Sequence, residues 1–190
     1  MLLVFSGNLL LNTTQGKKGE VLFSVQQRMV LSDEIKLIDW IYKESRKEEF
    51  AINTITNPLF INTTWAYLFN WYGRTTYGYM PAWFGYPQVD VFGATITLGE
   101  VNIDVKYNEV KDLKNKLFFL IIEPKEGIPE NYIRGITEFE NTRSSLVERK
   151  KFGTFFVEKR IITRDIPFSR DDVYRMIAQP KSFTLLEEVK

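Results

Sequence analysis

Residues Lys116 to Glu123, KLFFLIIE, constrain the fold more than any other stretch of this chain. A strand with one wet face alternates apolar and polar residues, whereas an unbroken run of Phe, Leu and Ile must be covered on both faces. Such a strand belongs inside a sheet with helices on each side. The flanking segments agree. Ser32 and Asp33 precede an apolar stripe at helical spacing (Ile35, Ile38 and Tyr42, with Leu37 and Ile41 beside them), which predicts a capped helix to about Arg46. Phe50 to Thr56 (FAINTIT) is β-branched and stops at Asn57-Pro58, as a strand does. Thr63 to Tyr72 is predicted as a helix opened by Asn62 or Thr63 and stopped at Gly73.

Val89 to Val105 alternates β-branched residues around Gly99 and predicts two strands or a hairpin. Pro129 is expected at the first position of a helix reaching about Asn141. Leu146 to Lys150 and Thr154 to Ile162 are predicted strands about Phe152-Gly153. Ser169 is expected to cap a short helix whose first turn holds Asp171 and Asp172, where they favour the helix dipole. Strands alternating with helices predict an α/β fold: a single-domain sandwich with a mixed, partly parallel sheet flanked by helices and an antiparallel edge pair. A length of 190 residues suits one domain. The expected organisation is an N-terminal apolar segment and linker over residues 1–20, an α/β domain over 21–162, and an extension with a short helix over 163–190.

The residue types narrow the chemistry. The chain has no His and no Cys, which removes disulfides, thiolate nucleophiles, Cys-based zinc sites and the Ser-His-Asp triad. Its glycines do not form a phosphate-binding loop, so no cofactor and no metal are expected. Carboxylates, Lys or Tyr would have to carry any catalysis. Asp90, Asp104 and the pair Asp171-Asp172 are the carboxylates weighed, but an acid/base pair must converge to roughly 5–9 Å for glycoside chemistry, and adjacent Asp residues at a helix start act as caps. The 25 basic and 24 acidic residues are well mixed, which argues against a nucleic-acid-binding face. Arg143, Arg149, Lys150, Lys151, Lys159 and Arg160 are expected to form a solvated strand surface. Two glycosylation sequons, at Asn12 and Asn62, are present; Thr63 is explained as a helix cap and no glycosylation is assigned.

The start of the chain holds two short apolar runs, Leu2 to Phe5 and Leu9 to Leu11. They lack the basic region of a secretory signal and fall short of the about 20 residues of a spanning helix. A buried strand and the exit of a membrane helix both fit them. Trp65 to Tyr86 (WAYLFNWYGRTTYGYMPAWFGY) concentrates ten aromatics, including three of the four Trp. Its helical half, with Trp65, Leu68, Trp71 and Tyr72 on one face, is expected to be core. In its second half, Tyr77, Tyr79, Trp83, Phe84 and Tyr86 are expected in a surface loop, suited to stacking on sugars or to a membrane boundary, with packing of the loop over the core as the equal alternative.

The runs IDWIYKES, FAINTIT and WAYLFNWYG followed by YGY, with LFFLIIEP, the Pro129 helix and FGTFFVEKR further on, resemble the region after the last membrane helix of bacterial family-39-type glycosyltransferases. These are GT-C class enzymes similar to dolichyl-phosphate-mannose protein mannosyltransferases and the lipid A aminoarabinose transferase. The resemblance covers about Ser32 to Arg160. It implies an extracytoplasmic domain at a bacterial membrane, soluble as this piece, whose partner is the membrane-embedded glycosyltransferase body. The catalytic acidic residues of that family lie in a loop between membrane helices with no counterpart here. The domain is thus implied to be non-catalytic by itself, orienting the acceptor or packing on the membrane body. The implied binding residues are Trp71, Tyr72, Arg74, Tyr77 and Tyr79, with a glycan or lipid-linked sugar as ligand and Arg74 as partner of a phosphate or carboxylate. The implied start of the chain is the exit of a membrane helix. The alternatives are a free-standing carbohydrate- or peptide-binding α/β module and a small soluble enzyme using Asp, Lys or Tyr.

Overall fold

The computed structural model describes residues 28–57, 62–84, 97–98, 101–102, 115–166 and 170–178. The apolar runs at the start of the chain, Asn12, Tyr86, Asp90, Asp104 and Ser169 lie outside them. The chain forms α1 (Leu31–Ser45), β1 (Phe50–Ile55), α2 (Thr63–Leu68), a π-helical turn (Phe69–Arg74), α3 (Thr75–Tyr77) and β2 (Ala82–Trp83). There follow β3 (Thr97–Leu98), β4 (Val101–Asn102), β5 (Leu117–Ile122), α4 (Glu130–Arg143), β6 (Ser144–Phe152), β7 (Phe155–Ile162) and α5 (Arg170–Ala178). The short strands β3 and β4 pair antiparallel, which agrees with the hairpin expected in this stretch.

The main sheet has five strands in the order β2-β1-β5-β7-β6. β1 pairs parallel with both β2 and β5, and β7 pairs antiparallel with both β5 and β6. This is the mixed, partly parallel α/β sandwich with an antiparallel pair at one edge. The KLFFLIIE run supplies its centre, where Phe118, Phe119, Leu120 and Ile121 are all fully buried. Successive side chains of a strand point to opposite faces, so this one strand feeds both cores. Phe119 and Ile121 join Leu37, Ile38 and Ile41 of α1 and Trp65 and Phe69 of the second helical stretch. Phe118, Leu120 and Ile122 join Ile136 and Phe139 of α4 and Val173 of α5 on the other face.

Four local expectations are corrected. Ser32 and Asp33 lie inside the first turn of α1, because the extended residue Val30 takes the cap position. Pro129 holds the cap position of α4, its extended backbone placing it just outside the helix. The helix from Thr63 does not stop at Gly73. It widens into the π turn and continues to Tyr77, and Gly78, at φ +86°, ends it in the left-handed conformation that glycine adopts without cost. Gly73 serves a different need: a Cβ there would stand 2.7 Å from the Tyr42 ring, so only glycine lets the helix lie this close to α1.

The last correction concerns charge. Arg143 and Arg160 are not on a solvated surface; each is 1% exposed. Arg143 Nε donates to Glu140 Oε2 at 2.7 Å and its terminal nitrogens to Glu140 Oε1 at 2.9 Å and the Ile166 carbonyl at 3.2 Å. Asn53 Nδ2 of β1 donates to the same Glu140 Oε1 at 2.8 Å, tying α4 to the sheet. The guanidinium also lies 4.5 Å from the centroid of the Phe84 ring. Arg160 donates to Ser144 Oγ at 2.8 Å and bonds Glu158 and Asn141 as well. Of the six cations only Arg149, Lys150 and Lys151 of β6 are exposed, while Lys159 pairs with Glu44.

Removing one member of a buried ion pair strands the other charge, at about 3–5 kcal/mol. Arg143→Met is therefore expected to lower stability by about that much, measured by urea denaturation. Adding Glu140→Gln should recover most of it, since no charge then remains and Asn53 keeps an acceptor. Equal destabilisation by the single and double variants would contradict this account of the pair.

Candidate functional site

Two places in this fold invite a ligand. The first follows from topology. β1 runs on to α2 on one face of the sheet and β5 runs on to α4 on the other, so their carboxyl ends part at a switch point, where open α/β sheets bind ligands. Here the residue after β5 is Glu123, which is 5% exposed. Its Oε1 accepts from Trp65 Nε1 at 2.9 Å and its Oε2 from the Asn57 backbone N–H at 2.9 Å. Both carboxylate oxygens clasp the loop and helix that leave β1, so Glu123 works as a structural buckle. The sequence signal for it was its place directly after the apolar run of β5.

The second is an aromatic band where α1 meets the π turn and α3. Tyr42 is its hub. Its ring stacks on Tyr77 (centroids 4.2 Å apart, planes within 9°) and meets Tyr79 edge-on at 5.0 Å and Phe50 edge-on at 5.3 Å. Its hydroxyl donates to the Tyr79 carbonyl at 2.7 Å. Ser45 Oγ donates to the Tyr42 carbonyl at 2.8 Å, and with its one proton so placed it accepts from the Tyr79 hydroxyl at 2.8 Å. One helical turn before Tyr42, Asp39 Oδ1 accepts from Tyr72 at 2.8 Å and from Tyr77 at 2.7 Å. Both phenols use the same oxygen, which leaves Asp39 Oδ2 as an acceptor among the described residues.

Of the residues singled out from sequence, Tyr72, Tyr77 and Tyr79 come together here with their hydroxyls engaged, so what they offer a ligand is ring surface. Trp71 projects outward from the π turn at 49% exposure rather than joining the core face with Trp65 and Leu68. The extra residue held in a π turn shifts the helical register, so that Phe69 and Gly73 face inward. Trp71 stacks parallel to Tyr67, planes within 7° and centroids 6.3 Å apart, and its ring also meets that of Tyr72 at 6.3 Å. Arg74 is exposed on the same turn. Ring contacts and hydrogen bonds thus run without a break from Tyr67 through Trp71, Tyr72 and Asp39 to Tyr77 and Tyr42. The expected surface loop is otherwise overturned: Trp83 and Phe84 are buried, because Ala82–Trp83 pairs with β1 as an edge strand. Sequence reasoning passed over Tyr67, whose signal was its spacing of four from Trp71, and Asp39, which only the fold brings to the tyrosines.

The hydrogen bond from Lys159 holds the Glu44 carboxyl below the usual carboxylate range, which weakens it as a base. Glu34 is pushed up by burial at the start of α1. Among the described residues no three Asp or Glu gather as metal ligands, and no helix is long and apolar enough to cross a membrane. Asp172 forms an exposed ion pair with Arg175 at 3.2 Å. Asn62 is 3% exposed, so the second sequon is enclosed. No protein-family model matches the chain, and no curated protein or solved structure matches it.

The tyrosines give the band a pH signature. Burial, then the neighbouring Tyr79 and Tyr77, raises Tyr42 well above its ordinary value of 10. Partial desolvation and the hydrogen bond to Asp39 do the same for Tyr77, and the bond to Asp39 leads for Tyr72. The unfolded chain releases these protons first, so their contribution to stability is intact below pH 10 and declines as pH rises above it. Asp39→Asn removes the carboxylate charge, and ultraviolet absorbance titration should then show Tyr72 and Tyr77 ionising at lower pH than in the wild type. An unchanged titration curve would contradict the assigned bonds.

Proposed function

We propose that this chain is an accessory domain of a bacterial membrane glycosyltransferase that uses polyprenyl-phosphate-linked sugars. In this proposal it is non-catalytic by itself, sits on the extracytoplasmic face and orients the acceptor glycan. The observation that carries the reading is the continuous band from Tyr67 and Trp71 to Asp39. Flat exposed rings suit the C–H face of a pyranose, and a carboxylate oxygen beside them suits its hydroxyls. The resemblance supplies the membrane partner, and the band supplies a surface on which an acceptor can rest. The engagement of Glu123, Glu140 and Glu158 in structural hydrogen bonds favours a binding role over the enzyme alternative.

A glycan array followed by calorimetry on the hits tests the proposal. The wild type is expected to bind oligosaccharides with modest affinity and to transfer no sugar from a polyprenyl-phosphate donor. Loss of one stacking ring is worth about 0.5–1.5 kcal/mol beyond its buried area, so Trp71→Ala should weaken binding about tenfold. Absence of glycan binding, or equal binding by Trp71→Ala, would remove the proposal.

A further inference from the structure

We propose that β6 is a docking edge for an acidic, extended segment of a partner protein, which pairs with it as a further strand of the sheet. The observations are independent of the aromatic band. Among the described residues β6 is the last strand of the sheet and pairs only with β7. Every second residue of such a strand turns its N–H and C=O away from its neighbour, and an exposed row of these groups is a template for another chain. From Ser145 through Lys151 every residue of β6 is exposed, with Leu146 at 52% and Val147 at 57%. Among the described residues no helix or loop shields this edge.

Charge selects the occupant. Arg149, Lys150 and Lys151 follow one another, with Glu148 before them. Lys150 lies over the Trp40 and Phe152 rings on one face of the sheet, and Arg149 and Lys151 lie over Phe156 on the other. A strand added beside β6 therefore meets cations on both of its faces. Among the described residues Arg149 makes a loose pair with Glu158 at 3.8 Å, and Lys150 lies near enough to Glu44 to help lower its carboxyl pKa, while neither cation is held in a close ion pair.

A second copy of the chain fits this edge badly. The register shifts between Leu146 and Glu148, so the longest uninterrupted stretch of the strand runs from Glu148 to Phe152. A two-fold antiparallel pair centred on that stretch sets Lys150 against Lys150 and Arg149 against Lys151. Like charges directly opposite are destabilising. The same cations that oppose self-pairing attract a strand carrying Asp or Glu, which combines main-chain hydrogen bonds with charge complementarity.

The test uses the full chain and a fluorescent peptide of alternating Glu and Val, matched in length to β6. A second peptide has the same sequence with alternate backbone nitrogens methylated, which removes hydrogen bonds and keeps the charge. Anisotropy titration is expected to show saturable binding of the first peptide, weakened about tenfold or more by methylation. The variant Arg149→Glu with Lys151→Glu, its fold checked by circular dichroism, should weaken binding to a similar degree. Three results would each overturn the proposal. One is no binding of the first peptide, another is equal binding of the methylated one, and the third is dimerisation of the peptide-free chain that the double variant abolishes.

Discussion

The Tyr42 ring rests against the helix at Gly73, where even a methyl group would stand 2.7 Å from the ring. The layout of the aromatic band depends on this contact. Because Gly73 has no side chain, the second helical stretch packs close enough to α1 for Tyr72 and Tyr77 to reach Asp39. Because the helix continues past Gly73, Tyr77 lands on the Tyr42 ring instead of in a loop. The π turn that accommodates the approach also faces Trp71 outward. One close contact thus divides a run of aromatics into a core side and an exposed side.

The rest of the molecule makes that side rigid. Trp65 and Phe69 anchor the helix in the first core, and Glu123 clasps Trp65 and the loop backbone before it. On the opposite face Glu140 joins Arg143 of its own helix to Asn53 of β1. These carboxylates are committed to holding elements together, so the proposed binding surface rests on the rings and on Asp39.

Much of the architecture was legible in the chain. The β5 run announced a strand covered on both faces, and the alternation of helices and strands announced the mixed sheet. What local patterns misplaced, they misplaced for tertiary reasons. Gly73 carries the mark of a helix stop, and only the Tyr42 ring beside it shows why a glycine stands inside the helix. Arg143 and Arg160 look like surface cations until their partners Glu140 and Glu158 are brought to them by the α4–β6 junction and the neighbouring strand position. Trp83 and Phe84 follow a Gly/Pro-punctuated stretch and read as loop, yet β1 offers an open edge that pairs Ala82–Trp83 into the sheet. The binding candidates Tyr72, Tyr77 and Tyr79 were visible from their clustering. Their partner Asp39 was not, because about thirty residues separate it from Tyr72 in sequence.

The central proposal is that ligand meets the protein at the outward face of the π turn. Fluorine NMR of protein labelled with 5-fluorotryptophan tests it most directly, since Trp71 is 49% exposed while Trp40, Trp65 and Trp83 are 7%, 0% and 0%. Titration with an oligosaccharide is predicted to move the Trp71 resonance progressively and to leave the other three in place. A titration in which Trp71 stays fixed while binding is demonstrated by calorimetry would contradict the account.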